Sequence, residues 1–126
     1  MSLSAESGIR EAINYYAEGM GAAKVEILKE AFHPQAILCG YLGDEMIAAP
    51  IEGLYDWVNS NPAPETFNLS ILAVEVTGRV ATAMVRETDS HGDVIDYFHF
   101  LKDGDRWWIV SKLWDAAPAK SQDLGK

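Results

Sequence analysis

The order of the patterns along this chain constrains its fold more than any single motif does. Three segments with a helical spacing of apolar residues come first, and four long strand-like runs close the chain. In the first segment Ile9, Ile13, Tyr16 and Met20 make one apolar stripe behind Ser4, a candidate N-cap. Gly19 and Gly21 are expected to end that helix. Val25, Leu28 and Phe32 form a second, shorter helix that His33-Pro34 should stop, because Pro34 lacks an N–H. Ile51, Leu54, Tyr55 and Val58 supply the buried face of a third helix, which opens at Pro50 and gives way to a stiff loop over 59–64.

Between the second and third helices, 36–41 and 46–49 read as two short strands joined through Gly43-Asp44. The long strands follow at 69–76, 80–88, 94–102 and 107–115. Their turns fall at Thr77-Gly78-Arg79, at Ser90-His91-Gly92-Asp93, where His91 should be exposed, and at Asp103-Gly104-Asp105-Arg106. This order predicts an α+β fold in which three helices pack on a curved mixed or antiparallel sheet and leave a cavity between them. No catalytic motif or nucleotide loop occurs elsewhere, so function is expected in the cavity.

Faces follow from pairing the last two strands. With Lys102 opposite Trp107, strict alternation sets Phe100 against Ile109, Phe98 against Ser111 and Asp96 against Leu113. Phe98, Phe100, Trp107 and Ile109 mark the core side, so Asp96 points along an apolar concave face. Tyr97, His99, Leu101, Trp108, Val110, Lys112 and Trp114 fall on the other side, which is too apolar and aromatic for bare solvent. The expected cover is a second copy of the chain, giving a homodimer through the outer sheet face.

Size and charge narrow the function classes. The 126 residues predict one domain over 1–126, with a core of about 5–116 and a loose tail beyond Pro118. A net charge of −9 argues against a nucleic-acid partner, since phosphate backbones need clustered Lys and Arg. Cys39 is the only cysteine, so no internal disulfide forms. The three histidines and Cys39 are scattered without ligand spacing, and neither a metal nor a cofactor is expected. No basic n-region precedes an apolar stretch, and no apolar run approaches the roughly 20 residues that span a bilayer. The expectation is therefore a cytoplasmic protein without a membrane partner.

The stretches Ala12-Ile13-Asn14-Tyr15-Tyr16-Ala17-Glu18-Gly19, Ala31-Phe32-His33-Pro34-Gln35-Ala36 and Val80-Ala81-Thr82-Ala83 carry a resemblance. So does the last hairpin, Asp96-Tyr97-Phe98 through Gly104-Asp105-Arg106-Trp107-Trp108-Ile109-Val110 to Lys112. With the element order, these resemble the nuclear transport factor 2-like superfamily, an α+β cone of cystatin-like build. Within it the chain is most similar to the bacterial "putative lumazine-binding" group. The resemblance implies a cone that hosts enzymes and non-enzymes alike, among them ketosteroid isomerases, scytalone dehydratases and SnoaL-like cyclases, so fold alone does not settle function. The group's name implies a pterin-like or flavin-precursor ligand. Relatives commonly carry Asp after His-Pro where Gln35 stands here, which removes one carboxylate from the pocket entrance.

The candidate site residues each have two readings. Asp96 on an apolar face is a base with a raised pKa, or it is paired to Lys112 or Arg86. Tyr16 turns its hydroxyl into the cavity, or it is core with the hydroxyl at the rim. His33 is a general base near the mouth, or it caps the second helix. Glu87 joins Asp96 as a carboxylate pair if the register holds. Met20, Tyr55, Phe98 and Trp107 line the wall, where Tyr55 and Trp107 stack on an aromatic ligand or serve only as core. The leading expectation is a binding protein for a small apolar or aromatic molecule. The alternatives are a cofactor-free lyase or isomerase using Asp96, Tyr16 and His33, and a dimeric interaction protein with a vestigial pocket.

Overall fold

The computed structural model describes residues 4–90 and 92–118, so His91 and the tail beyond Pro118 lie outside the described residues. Helix α1 (Ala5–Ala22) starts where the Ser4 hydroxyl accepts from the Ser7 N–H. Its stripe buries Ile9, Ile13 and Tyr16 to 1% exposure or less, and each such side chain contributes about 1.5–3 kcal/mol. Gly19 and Gly21 do not end it. The helix runs on to Ala22 and closes on Ala23, whose φ of 55° is left-handed. Gly19 is there for packing, since a Cβ would sit 2.7 Å from Leu28 Cγ of helix α2 (Val25–Leu28).

Helix α2 is a single turn that stops well short of His33-Pro34. Phe32 and His33 open strand β1 (Phe32–Leu42) because Phe32 pairs with Ile109, a long-range contact that overrides the local helical spacing. Strand β2 (Glu45–Pro50) returns antiparallel to β1, and Pro50 closes it rather than opening helix α3 (Glu52–Ser60). Ile51, Leu54, Tyr55 and Val58 are buried, as the helical spacing predicts.

Strands β3 (Phe67–Thr77), β4 (Val80–Asp89), β5 (Gly92–Asp103) and β6 (Arg106–Ala116) complete a six-stranded sheet in the order β2-β1-β6-β5-β4-β3. The β1–β6 pair is parallel and the others are antiparallel, so the sheet is mixed. The three helices pack on it in an α+β arrangement. No helix among the described residues is long and apolar enough to cross a membrane.

One irregularity decides what faces the core. Lys102 pairs with Trp107 and Phe100 with Ile109, but His99 pairs with Ser111, so Val110 is an extra residue in β6. Beyond this bulge Phe98 opposes Lys112 and Asp96 opposes Trp114. Strict alternation had put Lys112 and Trp114 on the outer face. The bulge turns both onto the concave side and sends Leu113 outward, 45% exposed. Tyr97, His99, Leu101 and Trp108 keep their outward register.

Candidate functional site

Near the β4–β5 turn the concave face, α1 and α3 enclose a cavity of about 590 Å³. Met20, Leu38, Ile47, Leu54, Trp57, Val94 and Trp114 supply apolar parts of its wall, with Asp89 and Asp93 toward the turn. Glu87 and Lys112 are the two buried ionisable side chains on that wall. Each reaches it from the inward register of a central strand: Glu87 opposes Leu69 and Val94, and Lys112 lies between Leu38 and Phe98.

Behind these two lie Tyr16 and Asp96, both with no exposed surface. The Tyr16 hydroxyl donates to Glu87 Oε1. The Lys112 ammonium lies 3.0 Å from Asp96 Oδ1, with the two side chains 8% and 0% exposed. That contact has the distance of an ion pair without the alignment of a hydrogen bond, and the protonated Glu87 carboxyl is a hydrogen-bond partner for Asp96. Lys112 Nζ also sits 4.2 Å from the centre of the Trp114 ring and 6.0 Å from that of Tyr16. A glycine makes room for this. A Cβ at Gly40, which pairs with Trp114, would fall 2.2 Å from the indole Cδ2.

Burial sets the protonation states. It lifts Glu87 from 4.5 to about 8, and Asp96 pushes the same way, while Lys112 and the Tyr16 hydrogen bond pull it down. The Tyr16 hydroxyl is held well above its usual value, first by burial and then by the Glu87 and Asp96 charges, so it stays a donor. An acid near 8 exchanges its proton readily around neutral pH, which suits a general acid or base.

Residues 4–115 match the family described as "putative lumazine-binding". The chain belongs to that family. It is similar in structure to an NTF2-like protein of unknown function from Methylobacillus flagellatus KT, 32% identical over 94% of this chain and 99% of that one, with a TM-score of 0.84. A second NTF2-like protein of unknown function, from Shewanella baltica OS155, is 28% identical over 90% and 94% of the two chains, with a TM-score of 0.82. A protein named Aldolase FrzH from Cladobotryum sp is 27% identical over 105 residues, 82% of this chain and 84% of that one. The fold is therefore the nuclear transport factor 2-like cone of the putative lumazine-binding family.

Within this family member the structure gathers some sequence candidates and separates others. Tyr16, Glu87 and Asp96 come together, and Met20 lines the cavity. Phe98 lies beneath it with its ring 5.0 Å from Tyr16, edge to face. Trp107 sits at the opposite end of β6, where Gly8 receives its indole, and does not line this cavity. Tyr55 is buried under Lys29 and also stays off the wall. His33 lies in β1, accepts the Gln35 N–H at Nδ1 and neither caps α2 nor reaches the cavity. Lys112 and Trp114 are on the wall but were expected outside. Nothing in the type of residue at Val110 marks the bulge that moves them. Among the described residues no cluster of three His, Cys, Asp or Glu stands ready for a metal ion.

Proposed function

We propose that the cavity binds a small, largely apolar molecule and that Glu87 moves a proton on it. The observation that carries this is the buried Glu87 carboxyl on the wall of an apolar cavity, positioned by the Tyr16 hydroxyl and raised by burial to about 8. A binding pocket needs shape and a few polar anchors. A buried carboxyl at this value, next to a second carboxylate and an ammonium, goes beyond what binding requires. Tyr16 and Asp96 act from behind: Tyr16 orients Glu87, and Asp96 holds Lys112 in an ion pair. The relative named an aldolase supports the same class, since aldol chemistry begins with removal of a proton beside a carbonyl. The family's description supports a flat heteroaromatic such as lumazine as a ligand to screen.

Hydrogen–deuterium exchange tests this without a known substrate. A panel of enolisable ketones, arylacetaldehydes and lumazine is incubated in heavy water, with Trp fluorescence recording binding through Trp57 and Trp114. The wild type should speed exchange of at least one bound compound, and Glu87→Gln should cut that rate by roughly 100-fold or more. Saturable binding with no exchange would leave a binding protein. No binding at all would overturn the proposal.

We further propose that the outer sheet face is covered by a second copy. Ile37, Leu72, Val80, Tyr97, Leu101 and Leu113 stand on it between 38% and 51% exposed. Sheet-to-sheet contact of at least roughly 1,000 Å² would cover them. Light scattering should give twice 13.9 kDa, and a monomer at micromolar concentration would end the idea.

A further inference from the structure

Lys112 is the one basic side chain among the described residues that line the cavity, and it sits where burial is costly. Removing an ammonium from water costs several kcal/mol even after relaxation, and replacing a buried ion pair with apolar side chains is often neutral or stabilising. Stability therefore gives no reason to keep the charge there. Asp96 Oδ1 at 3.0 Å and the Trp114 face at 4.2 Å hold Lys112 in an ion pair and a cation–π contact, a setting that suits a fixed donor better than a nucleophile. The ammonium has three N–H donors, and among the described residues it makes no aligned hydrogen bond to a protein oxygen. It is a charged donor on the cavity wall with capacity to spare.

The geometry points to Lys112 as the group that takes the substrate's carbonyl oxygen while Glu87 takes a proton from the neighbouring carbon, so the substrate class is a small, apolar, enolisable carbonyl compound. This rests on the cavity and the Glu87 role proposed above. In the step, the C–H bond breaks and its proton passes to the Glu87 carboxylate. The C–H electron pair forms the new C=C bond, and the carbonyl π pair moves to oxygen. The resulting enolate oxygen carries the negative charge against the Lys112 ammonium. Return of the proton from Glu87, to the same carbon or to another along a conjugated system, restores the carboxylate. No oxidant or reductant enters. A preformed donor placed where charge develops is worth more in a water-poor site than in solution.

A phenolate imitates an enolate, so the probe is 4-nitrophenol, whose ionised and neutral forms differ in absorption. Its methyl ether, 4-nitroanisole, has nearly the same shape and cannot ionise. At pH 7 the wild type should bind 4-nitrophenol as the anion, at least tenfold more tightly than 4-nitroanisole. Lys112→Met should lose that preference by tenfold or more, with the 4-nitroanisole affinity changed less than threefold, and Lys112→Arg should restore part of it. Because Lys112→Met leaves Asp96 unpaired and endangers folding, the double variant Asp96→Leu/Lys112→Met is measured beside it and should show the same loss. If 4-nitroanisole binds but the phenol binds un-ionised, or if Lys112→Met keeps the anion preference, the Lys112 role is overturned while the cavity stands. If neither probe binds, the cavity reading falls and takes the Lys112 role with it.

Discussion

The two ends of strand β6 lie on the same concave face and are built for different purposes. Before the Val110 bulge, Trp107 and Ile109 are buried among apolar side chains, and the Trp107 indole fills the space left by Gly8. After the bulge, Lys112 and Trp114 face a cavity, and the Trp114 indole fills the space left by Gly40. The same device, a glycine receiving a tryptophan, closes one end of the cone and props a charged wall at the other. One inserted residue separates the packed half of the sheet from the half that lines the cavity.

The largest effect is expected at the ion pair. Asp96→Ala strands the Lys112 ammonium and should cost about 3–5 kcal/mol. Asp96→Leu/Lys112→Met should regain most or all of that loss, because the charges are not there for stability. Urea denaturation of both variants checks this, and a double variant as unstable as the single one would make the pair structural.

The two glycines sharpen the contrast. Gly8→Ala and Gly40→Ala each force a Cβ into an indole, at 2.5 Å from Trp107 Cδ1 and 2.2 Å from Trp114 Cδ2, and overpacking of this kind typically costs about 1–3 kcal/mol. Only Gly40→Ala should also weaken ligand binding by shifting Trp114. Equal binding by the two variants would remove Trp114 from the site.

Glu87 makes the open end pH-sensitive. Its folded pKa of about 8 lies above the ordinary 4.5. The group's contribution is therefore full below about 4.5 and is lost as the pH rises through about 8. In that window the slope approaches about 1.4 kcal/mol per pH unit. Glu87→Gln should flatten it, which denaturation midpoints at several pH values would show. The smallest effect belongs far from either end: Arg10→Ala removes the exposed pair with Glu6 on α1 and should change stability by no more than about 0.5 kcal/mol.

Much of this was legible in the sequence because period and turn chemistry are local. The stripe Ile9, Ile13, Tyr16 and the alternation of Asp96, Phe98 and Phe100 name their buried faces correctly, and the Gly78 and Gly104 turns fall in place with positive φ. What was hidden is non-local. Phe32 leaves its helical spacing for Ile109, and Gly19 continues a helix because Leu28 lies against it. The site suffered most from this: the Val110 bulge reverses the facing of Lys112 and Trp114, so alternation placed both on the wrong side of the sheet. Tyr16, Glu87 and Asp96 could be named as candidates, but which of them reach the cavity depends on depth, which no pattern records.

The proposed role of Glu87 as a proton carrier on the cavity wall stands or falls on its own titration. Carbon-13 NMR of labelled glutamate side chains, assigned by Glu87→Gln, follows the Glu87 carboxyl from pH 3 to 10. A midpoint near 8 that climbs further in Tyr16→Phe, which removes the hydrogen bond holding the value down, is the predicted result. A midpoint at or below the ordinary 4.5 would contradict it.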